Sequence, residues 1–297
     1  MASSPRPVVS ALVVSYNVRS LLLECLEALR SGVEVPLEVV VVDNASEDGS
    51  AEAVAEAYPE AKVIRQDRNL GYGRANNAAL EASSGRFVLL VNPDLKVEPG
   101  CVDRLADFLL TRPDAAGVSP RIRRPDGSLD LAARRGFPTP SASFYRLVGL
   151  SRLFPHSSRF NRYNMGYRRE DEIQEIDSGT GACLLLRRSA LERIGFFDPD
   201  FFMYGEDLDL CLRLRDDGWK IFYLPSAEAV HAKGASSRQA TLKNLYHFHS
   251  SMWIFHVKHY AAERSAFATG LVWLSIWLRF GVLALRSRLD PRLPVSA

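Results

Sequence analysis

The chain has 297 residues, of which 47% are hydrophobic and 24% are charged, so it is long enough to bury a substantial core. Its formal net charge at pH 7 is only +2, which gives no support for a nucleic-acid partner. The four cysteines are scattered and include no C-x-x-C pair, so they are predicted to be buried free thiols in a reducing compartment. Residues 1–7 have no basic region that leads into a helical apolar core, and no signal peptide is predicted there.

Apolar, largely β-branched runs alternate with helical patterns as far as residue 119. The predicted strands cover residues 8–15, 37–42, 62–64, 87–91 and 116–119. The predicted helices cover residues 20–29, a stretch from Asp48 or Ser50 through Tyr58, residues 71–83 and residues 99–110. This alternation predicts an α/β domain with a parallel, doubly wound sheet and right-handed crossovers.

The alternation stops after Pro120. Residues 121–135, centred on Asp126-Gly127, predict a hairpin, and the weakly periodic residues 136–172 predict a mobile segment over a site. Further elements are predicted as strand patterns at 175–187 and 219–224, short helices at 190–194 and 207–216, and a helical tail at 242–288.

Acidic side chains follow two of the predicted strands. Asn92-Pro93-Asp94 ends a fully apolar run, and proline cannot continue a central strand. Asp43-Asn44 ends the second strand in the same manner. Ligands of open α/β sheets bind at the carboxyl ends of the strands, so Asp43 and Asp94 are expected to face one crevice. Each pattern is also typical of an ordinary turn at the end of a strand. A functional interpretation is favoured only because further motifs occur along the chain.

The loop of residues 69–77 opens the third predicted helix with two glycines and an arginine. Gly71 and Gly73 would let backbone N–H groups approach a phosphate, and Arg74 could add a charge-assisted hydrogen bond. The dinucleotide fingerprint has a third glycine and an acid about 20 residues later, whereas here Asp43 comes earlier. The pattern therefore argues against a nicotinamide enzyme.

A later set of acids begins an amphipathic helix. The helix dipole alone would explain Glu206 or Asp209. It does not explain why three acids, Glu206, Asp207 and Asp209, come together just after the aromatic-rich residues 196–204. A carboxylate at a helix N-terminus is held ionised, which suits a general base. His231 leads a loop of small residues at 233–236, and imidazole with carboxylate suits Mn²⁺ or Mg²⁺.

In this order, the motifs resemble those of the inverting glycosyltransferases of family 2, which have the GT-A fold. The resemblance covers residues 8–237 and includes Val-Val-Ser-Tyr-Asn in the first strand, Asn92-Pro93-Asp94 and Gly205-Glu206-Asp207. Asn-Leu-Gly-Tyr-Gly together with Asn-Pro-Asp is most similar to rhamnosyltransferases that use dTDP-rhamnose. The resemblance implies a GT-A catalytic domain over residues 1–240, with a mostly parallel sheet and flanking helices, and a helical C-terminal appendage over 241–297.

The resemblance also implies a role for each matched position. The donor nucleotide sugar would be bound by Ser15, Tyr16 and Asn17 at the nucleoside, Asp43 and Asn44 at the base or ribose, and Gly71, Arg74 and Asn76 at the diphosphate and sugar. Asn92 replaces the first acid of the family's D-x-D motif, so one negative charge is lost. Asp94 would bind Mg²⁺ or Mn²⁺, and His231 would complete the metal site. Asp207 matches the catalytic base, and Glu206 would help to place the acceptor.

The composition of the C-terminal tail indicates which kind of acceptor the protein uses. Residues 266–278 and 280–285 are apolar, and Arg279 between them would cost about 3 kcal/mol at a bilayer centre. Trp273, Trp277 and the basic flanks favour an interfacial helix at the inner face of the cell membrane, which would suit a saccharide or lipid-linked saccharide acceptor. Packing on the catalytic domain or in a homodimer is the alternative.

Two other functions are compatible with parts of the sequence. The first is the same transfer chemistry with a UDP-sugar donor. The second is a nucleotide-sugar-binding protein or nucleotidyltransferase that performs no glycosyl transfer. A nucleotidyltransferase would have a basic, glycine-rich loop after the first strand, and the Ser15-Tyr16-Asn17-Val18 stretch is not one.

Overall fold

The fold was taken from a computed structural model that describes residues 8–232 and 241–289. Within these residues, nine strands form one sheet. The strands are β1 (Val9–Ser15), β2 (Leu37–Asp43), β3 (Lys62–Arg65), β4 (Phe87–Val91), β5 (Leu95–Val97), β6 (Ala115–Arg123), β7 (Gln174–Ile176), β8 (Cys183–Arg187) and β9 (Lys220–His231). The helices are α1 (Arg19–Gly32), α2 (Ser50–Ala57), α3 (Tyr72–Glu81), α4 (Cys101–Thr111), α5 (Pro140–Leu147), α6 (Leu150–Leu153), α7 (Arg188–Ile194), α8 (Glu206–Asp216), α9 (Thr241–His259) and α10 (Ala266–Leu289).

The sheet is mixed but mostly parallel, with the order β3-β2-β1-β4-β8-β6-β9-β5, and β7 also pairs with β9. Strands β1 to β4 pair in parallel, as the sequence predicts. The predicted mostly parallel sheet is confirmed, and β6 and β9 continue the direction of β4. The exceptions are β8, which lies antiparallel between β4 and β6, and β5 and β7, which lie antiparallel on β9. Strand β5 follows β4 through a tight turn, so it reverses direction.

The core lies on both faces of the sheet, which is why its central strands are continuous apolar runs. Every residue of β4 is buried, and the inward faces of α1 and α4 contribute side chains such as Leu22, Leu29 and Leu105. The four cysteines are free and buried, as predicted.

The structure refines two sequence predictions after Pro120. The predicted hairpin of residues 121–135 is present only around Asp126-Gly127, where the Arg124 amide donates to the Ser128 carbonyl at 2.8 Å, and the chain then enters a 3₁₀ turn at Leu131–Ala133. Residues 136–172 contain α5 and α6, and their predicted mobility stays a prediction. Helix α5 begins where Thr139 Oγ1 accepts a hydrogen bond from the Ala142 amide at 3.2 Å and Pro140 occupies the first turn.

Helix α9 packs on the loop that leads into α8. The ring of Phe202 stacks on His247 with centroids 4.2 Å apart, and Ser251 Oγ donates to the Met203 carbonyl at 3.0 Å. Asp209 of α8 is fully buried and accepts contacts from Lys258 and His259 of α9, both at 2.7 Å. Residues 233–240, which include the predicted loop of small residues, lie outside the described residues. The domain boundary predicted at residue 240 therefore stays a prediction.

We expect Asp209→Asn to lower the free energy of unfolding by about 3 kcal/mol, because it leaves Lys258, His259 and Arg213 beside a buried neutral group. Burial opposes ionisation, but bonds from these three side chains lower the pKa of Asp209 from 3.8 to about 2. This carboxylate therefore stabilises the fold above pH 3.8, and the contribution is lost as the pH falls toward 2. Denaturant unfolding at several pH values measures both effects.

The matched control is Asp216→Asn, at the exposed end of the same helix, where Asp216 contacts only its neighbour Arg215 among the ion pairs of the described residues. Its unfolding free energy should change by less than about 1 kcal/mol. Equal losses in both variants would show that the Asp209 cluster does not hold α9 to α8.

Candidate active site

The first part of the site lies at the carboxyl ends of β1 and β2. Ser15 pairs with Asp43 across the parallel ladder. The Ser15 hydroxyl and Asp43 Oδ1 are buried and have no hydrogen-bond partner in the described structure, whereas Asp43 Oδ2 accepts from the Ser46 amide at 3.1 Å. Asn17 joins the two loops here, because its Oδ1 accepts from the Glu47 amide at 2.8 Å. Two unsatisfied polar atoms beside the exposed ring of Tyr16 fit a polar, planar ligand such as a nucleoside.

Asn44 braces the glycine loop from below. Its Nδ2 donates to Asn69 Oδ1 at 3.0 Å and to the Gly71 carbonyl at 3.2 Å, and its Oδ1 accepts from the Leu70 amide at 2.9 Å. Gly71 has φ +85°, and a Cβ there would lie 2.3 Å from the Phe202 carbonyl oxygen. Asn44 is therefore a positioning residue, and Gly71 is required for the close approach of the glycine loop to the Phe202 loop.

Arg74 and Asn76 make contacts within the protein. The exposed Arg74 donates through Nε to the Pro199 carbonyl at 3.1 Å, and the buried Asn76 donates to the Tyr72 carbonyl at 3.0 Å. Asn76 Oδ1 is buried without a partner in the described structure. Their predicted contacts with a donor diphosphate and sugar stay a prediction.

The second part of the site is built where β4 ends. The Leu95 amide donates to the Asn92 carbonyl at 3.1 Å, so Asn92-Pro93-Asp94 forms a tight turn that leads straight into β5. Leu95 of β5 then pairs with His231 of β9. This register places Asp94 Oδ1 3.1 Å from His231 Nε2, although the two residues are 137 positions apart. Both side chains are buried.

Asp130, which sequence reasoning missed, lies behind His231. Its Oδ2 is 3.5 Å from His231 Nδ1, and its Oδ1 accepts from the Ala132 amide at 3.1 Å. Burial opposes protonation of His231, but the hydrogen bonds with Asp130 and Asp94 raise its pKa above the usual value. Asp130 thus orients the imidazole, with one ring nitrogen toward itself and the other toward Asp94.

The Asp94–His231 pair fits a divalent cation of the Mn²⁺ or Mg²⁺ class, because it offers one carboxylate oxygen and one imidazole nitrogen side by side. Within residues 8–232 and 241–289, no group of three or more His, Cys, Asp and Glu side chains is arranged to hold a metal. Two protein ligands would leave most positions on the ion for a ligand's oxygens.

The third part of the site is the acidic start of α8. Gly205 precedes this helix with φ +81°, and a Cβ there would meet the Phe201 ring at 3.3 Å. Asp207 Oδ2 accepts from Arg135 Nη2 at 2.7 Å and from the Gly181 amide at 3.0 Å, while Oδ1 accepts from the Leu208 amide at 2.8 Å. These donors hold the carboxylate in one orientation.

Arg135 is the second residue that sequence reasoning missed. It is mostly buried and also donates to the Gly179 carbonyl at 2.7 Å. The hydroxyl of Tyr72, at the start of α3, donates to the Gly181 carbonyl at 2.7 Å. Tyr72 therefore binds the carbonyl of the same glycine whose amide donates to Asp207.

Glu206 is held differently from Asp207. Its Oε2 is buried and has no hydrogen-bond partner in the described structure. Burial first, and the charge of Asp207 second, raise the pKa of Glu206 from 4.5 to about 8. Glu206 thus carries a proton at neutral pH and offers an unused polar atom beside Asp207.

The loop of residues 179–182 joins the second and third parts of the site. The Ala182 carbonyl accepts from the Asn92 amide at 2.9 Å, and the neighbouring Gly181 donates to Asp207. The glycine loop of the donor side is joined as well, because the Tyr72 amide donates to the Phe202 carbonyl at 2.7 Å. Asp94 and His231 are thus linked to Asp207 through this loop, and the predicted convergence of the three side chains on one cleft stays a prediction.

Comparison with known proteins identifies the family. The family model for glycosyl transferase family 2 matches residues 10–195, and that for glycosyl transferase family group 2 matches residues 156–289. The chain belongs to glycosyl transferase family 2. The N-acetylglucosaminyl-diphospho-decaprenol L-rhamnosyltransferase of Mycobacterium tuberculosis is 34% identical to this glycosyltransferase over 96% of this chain and 93% of that protein.

Solved structures show the same fold as this glycosyltransferase. The mannosyltransferase of Pyrobaculum calidifontis in complex with GDP-Man and Mn²⁺ has a TM-score of 0.59 at 20% identity, covering 98% of this chain and 78% of that one. TarS 1-349 of S. aureus in complex with UDP-GlcNAc has a TM-score of 0.56 at 18% identity, covering 91% and 71%. The predicted family and the predicted α/β fold of the GT-A type are thus confirmed.

Proposed function

We propose that this glycosyltransferase moves a sugar from a nucleoside-diphosphate sugar to a hydroxyl of a saccharide, with inversion at the anomeric carbon. The observation that supports it most is Asp207, fixed by Arg135 and Gly181 next to the loop that carries Asn92 and Asp94. The relative that is named an N-acetylglucosaminyl-diphospho-decaprenol L-rhamnosyltransferase favours rhamnose as the transferred sugar and a lipid-linked saccharide as acceptor. The motif resemblance adds dTDP-rhamnose as the proposed donor.

On the donor side, Ser15 and Asp43 offer their unsatisfied oxygens to the nucleoside, and Tyr16 offers its ring. Asp94 and His231 would hold Mg²⁺ or Mn²⁺, which neutralises the negative charge that develops on the departing nucleoside diphosphate. Asn92 adds no charge in this region, so its amide is suited to hydrogen bonding rather than to metal binding.

On the acceptor side, Asp207 takes the proton of the attacking hydroxyl, which must come within about 3 Å of the carboxylate. The hydroxyl oxygen forms the new bond to the anomeric carbon as the bond to the diphosphate breaks, and the proton stays on Asp207. Glu206, which retains its own proton, donates a hydrogen bond that orients the acceptor. One in-line displacement of this kind inverts the anomeric configuration.

We expect Arg135→Met to lower kcat about a hundredfold and to leave the KM for the donor within about twofold, because Arg135 positions Asp207 and lies away from the nucleoside side. Steady-state kinetics measure kcat and the KM for the donor separately, and Arg135→Lys should restore part of the rate.

The matched control for Arg135 is Arg134→Met. Arg134 is a neighbouring buried arginine whose guanidinium donates to the carbonyls of Arg168 and Arg169, not to Asp207. Its variant should lose stability but keep kcat of the folded enzyme within about threefold. If the two variants lower kcat alike, Arg135 has only a structural role.

The C-terminal helix supports a membrane location. By length and composition alone, helix α10 is able to cross a bilayer. An 18-residue window of the helix has a mean hydropathy of 1.6, and only 6% of this window is buried in the protein. One side packs on α9, where Trp277 and Phe280 approach the rings of Tyr246 and His249 at 5.8 and 5.6 Å. We propose that α10 lies in the membrane surface at the inner face of the cell membrane, rather than spanning it or closing a homodimer.

A thermal-shift screen tests the proposed donor. With Mg²⁺ or Mn²⁺ present, dTDP-rhamnose should raise the melting temperature by mass action, and chelation of the metal should remove the shift. A larger increase in melting temperature with a UDP-sugar would identify that sugar nucleotide as the donor and would leave the proposed reaction unchanged. The absence of any shift with every nucleotide sugar and both metals would refute the proposed donor site.

A further inference from the structure

Helices α5 and α6 expose large apolar side chains that no part of the catalytic mechanism uses. Leu153 is 69% exposed and Phe144 is 56% exposed, and Val148 and Phe154 are also exposed. We call these four residues the α5–α6 surface. The rings of Phe144, Tyr145, Phe160 and Phe154 contact one another in sequence, so the segment beneath this surface is a packed aromatic layer. Clustered exposed side chains of this size mark a contact with another apolar phase.

The segment that carries the α5–α6 surface is rich in positive charge. Between Asp130 and Glu170 the sequence contains eight arginines and no aspartate or glutamate. Two of them, the buried Arg134 and the mostly buried Arg135, form the contacts described above. The exposed ones on or beside the surface are Arg146, Arg152, Arg159 and Arg162. Exposed apolar side chains among uncompensated arginines complement an anionic lipid surface.

Helix α10 repeats this combination. Its exposed apolar residues recur at intervals of three or four and form one stripe along the helix: Phe267, Leu271, Leu274, Leu278, Val282, Leu285 and Leu289. Residues 264–289 contain four arginines and no acid. Arg279 of α10 lies over the Phe248 ring of α9 at 5.8 Å. Helix α10 and the α5–α6 surface thus share exposed apolar side chains with arginines among them.

We propose that the α5–α6 surface is a second membrane-docking surface, which inserts into an anionic bilayer in addition to α10. A second copy of the chain suits it less well, because a symmetric contact through this surface would bring the two sets of arginines together. The inference deepens the proposed function and rests on it for the lipid-linked acceptor. Residue Arg135, which holds Asp207, lies five positions before α5. Docking through α5–α6 would thus hold the acceptor side of the site at the lipid surface.

The test places a polarity-sensitive fluorophore at Leu153→Cys in the full-length protein, where the four native cysteines are buried and unreactive. Vesicles of phosphatidylglycerol and phosphatidylethanolamine should shift the emission to the blue, and brominated lipids should quench it. The matched control is Leu110→Cys on α4, which is 47% exposed and lies outside the surface. Its label should stay unaffected. The double variant Arg146→Gln/Arg152→Gln should weaken vesicle binding by about tenfold.

Two results would overturn the proposal. The first is vesicle binding through α10 with no change at the Leu153 label. The second is a blue shift without vesicles that grows with protein concentration, which would identify a second copy as the partner. Neither result depends on catalysis. Nucleotide-sugar thermal shifts on the same labelled proteins, without vesicles, report the donor site separately.

Discussion

Replacing Asp207 with asparagine is expected to lower kcat by about a thousandfold while donor binding stays within about twofold. Asparagine keeps the size of the side chain and can still accept hydrogen bonds from Arg135 and Gly181, so the local geometry should persist. It has no basic oxygen that could remove the proton of an acceptor hydroxyl. Steady-state kinetics with donor titration by calorimetry separate these two effects.

Two variants sharpen the Asp207 experiment. Glu206→Gln should be less damaging, because a neutral amide replaces a carboxylic acid that already carries its proton at neutral pH. Asp216→Asn, at the opposite end of α8, should retain full activity. Loss of donor binding in Asp207→Asn, or a larger rate loss in Glu206→Gln than in Asp207→Asn, would move the role of base away from Asp207.

Replacing Asp94 with asparagine is expected to lower kcat/KM by about a hundredfold and to abolish the metal-dependent part of donor binding. The change removes the only carboxylate charge in the Asn92-Pro93-Asp94 turn, where the family pattern would otherwise supply a second acid. It preserves the side-chain volume and the turn that leads into β5. Donor titrations with Mn²⁺ and with a chelator measure the loss.

Asp130→Asn is the graded companion of Asp94→Asn. Asp130 contacts His231 from the side opposite to Asp94, so its loss should weaken the metal by about tenfold rather than abolish it. Equal metal affinity in Asp94→Asn and the unaltered protein would exclude Asp94 as a ligand. The metal would then have to be bound elsewhere.

Local patterns carried much of the fold prediction. The runs at 8–15, 37–42 and 87–91 are uniformly apolar, so they were recognisable as strands buried on both faces, and each lies within one residue of the observed ends. Strand β5 was not predicted, because it is only three residues long and nothing in Leu-Lys-Val distinguishes it from a loop. The antiparallel entry of β8 also could not be predicted, since it depends on pairing with strands about 70 and 100 positions earlier.

The residues of the candidate site likewise fall into those that local sequence patterns predict and those that only the tertiary fold reveals. Asp43, Asp94, Asp207 and His231 end strands or begin helices, so their positions followed from local patterns and from the family resemblance. Arg135 and Asp130 lie in a segment without periodicity, and only the tertiary fold brings them to Asp207 and His231. No local feature separates Arg135 from the other seven arginines between Asp130 and Glu170.

The anomeric configuration of the transferred sugar tests the central claim most directly. If Asp207 activates the acceptor on the face opposite a nucleoside diphosphate held near Asp94 and His231, one displacement occurs. Nuclear magnetic resonance of the first product formed should then show the configuration opposite to that of the donor. A product that retains the donor's configuration would contradict this arrangement of the two acids.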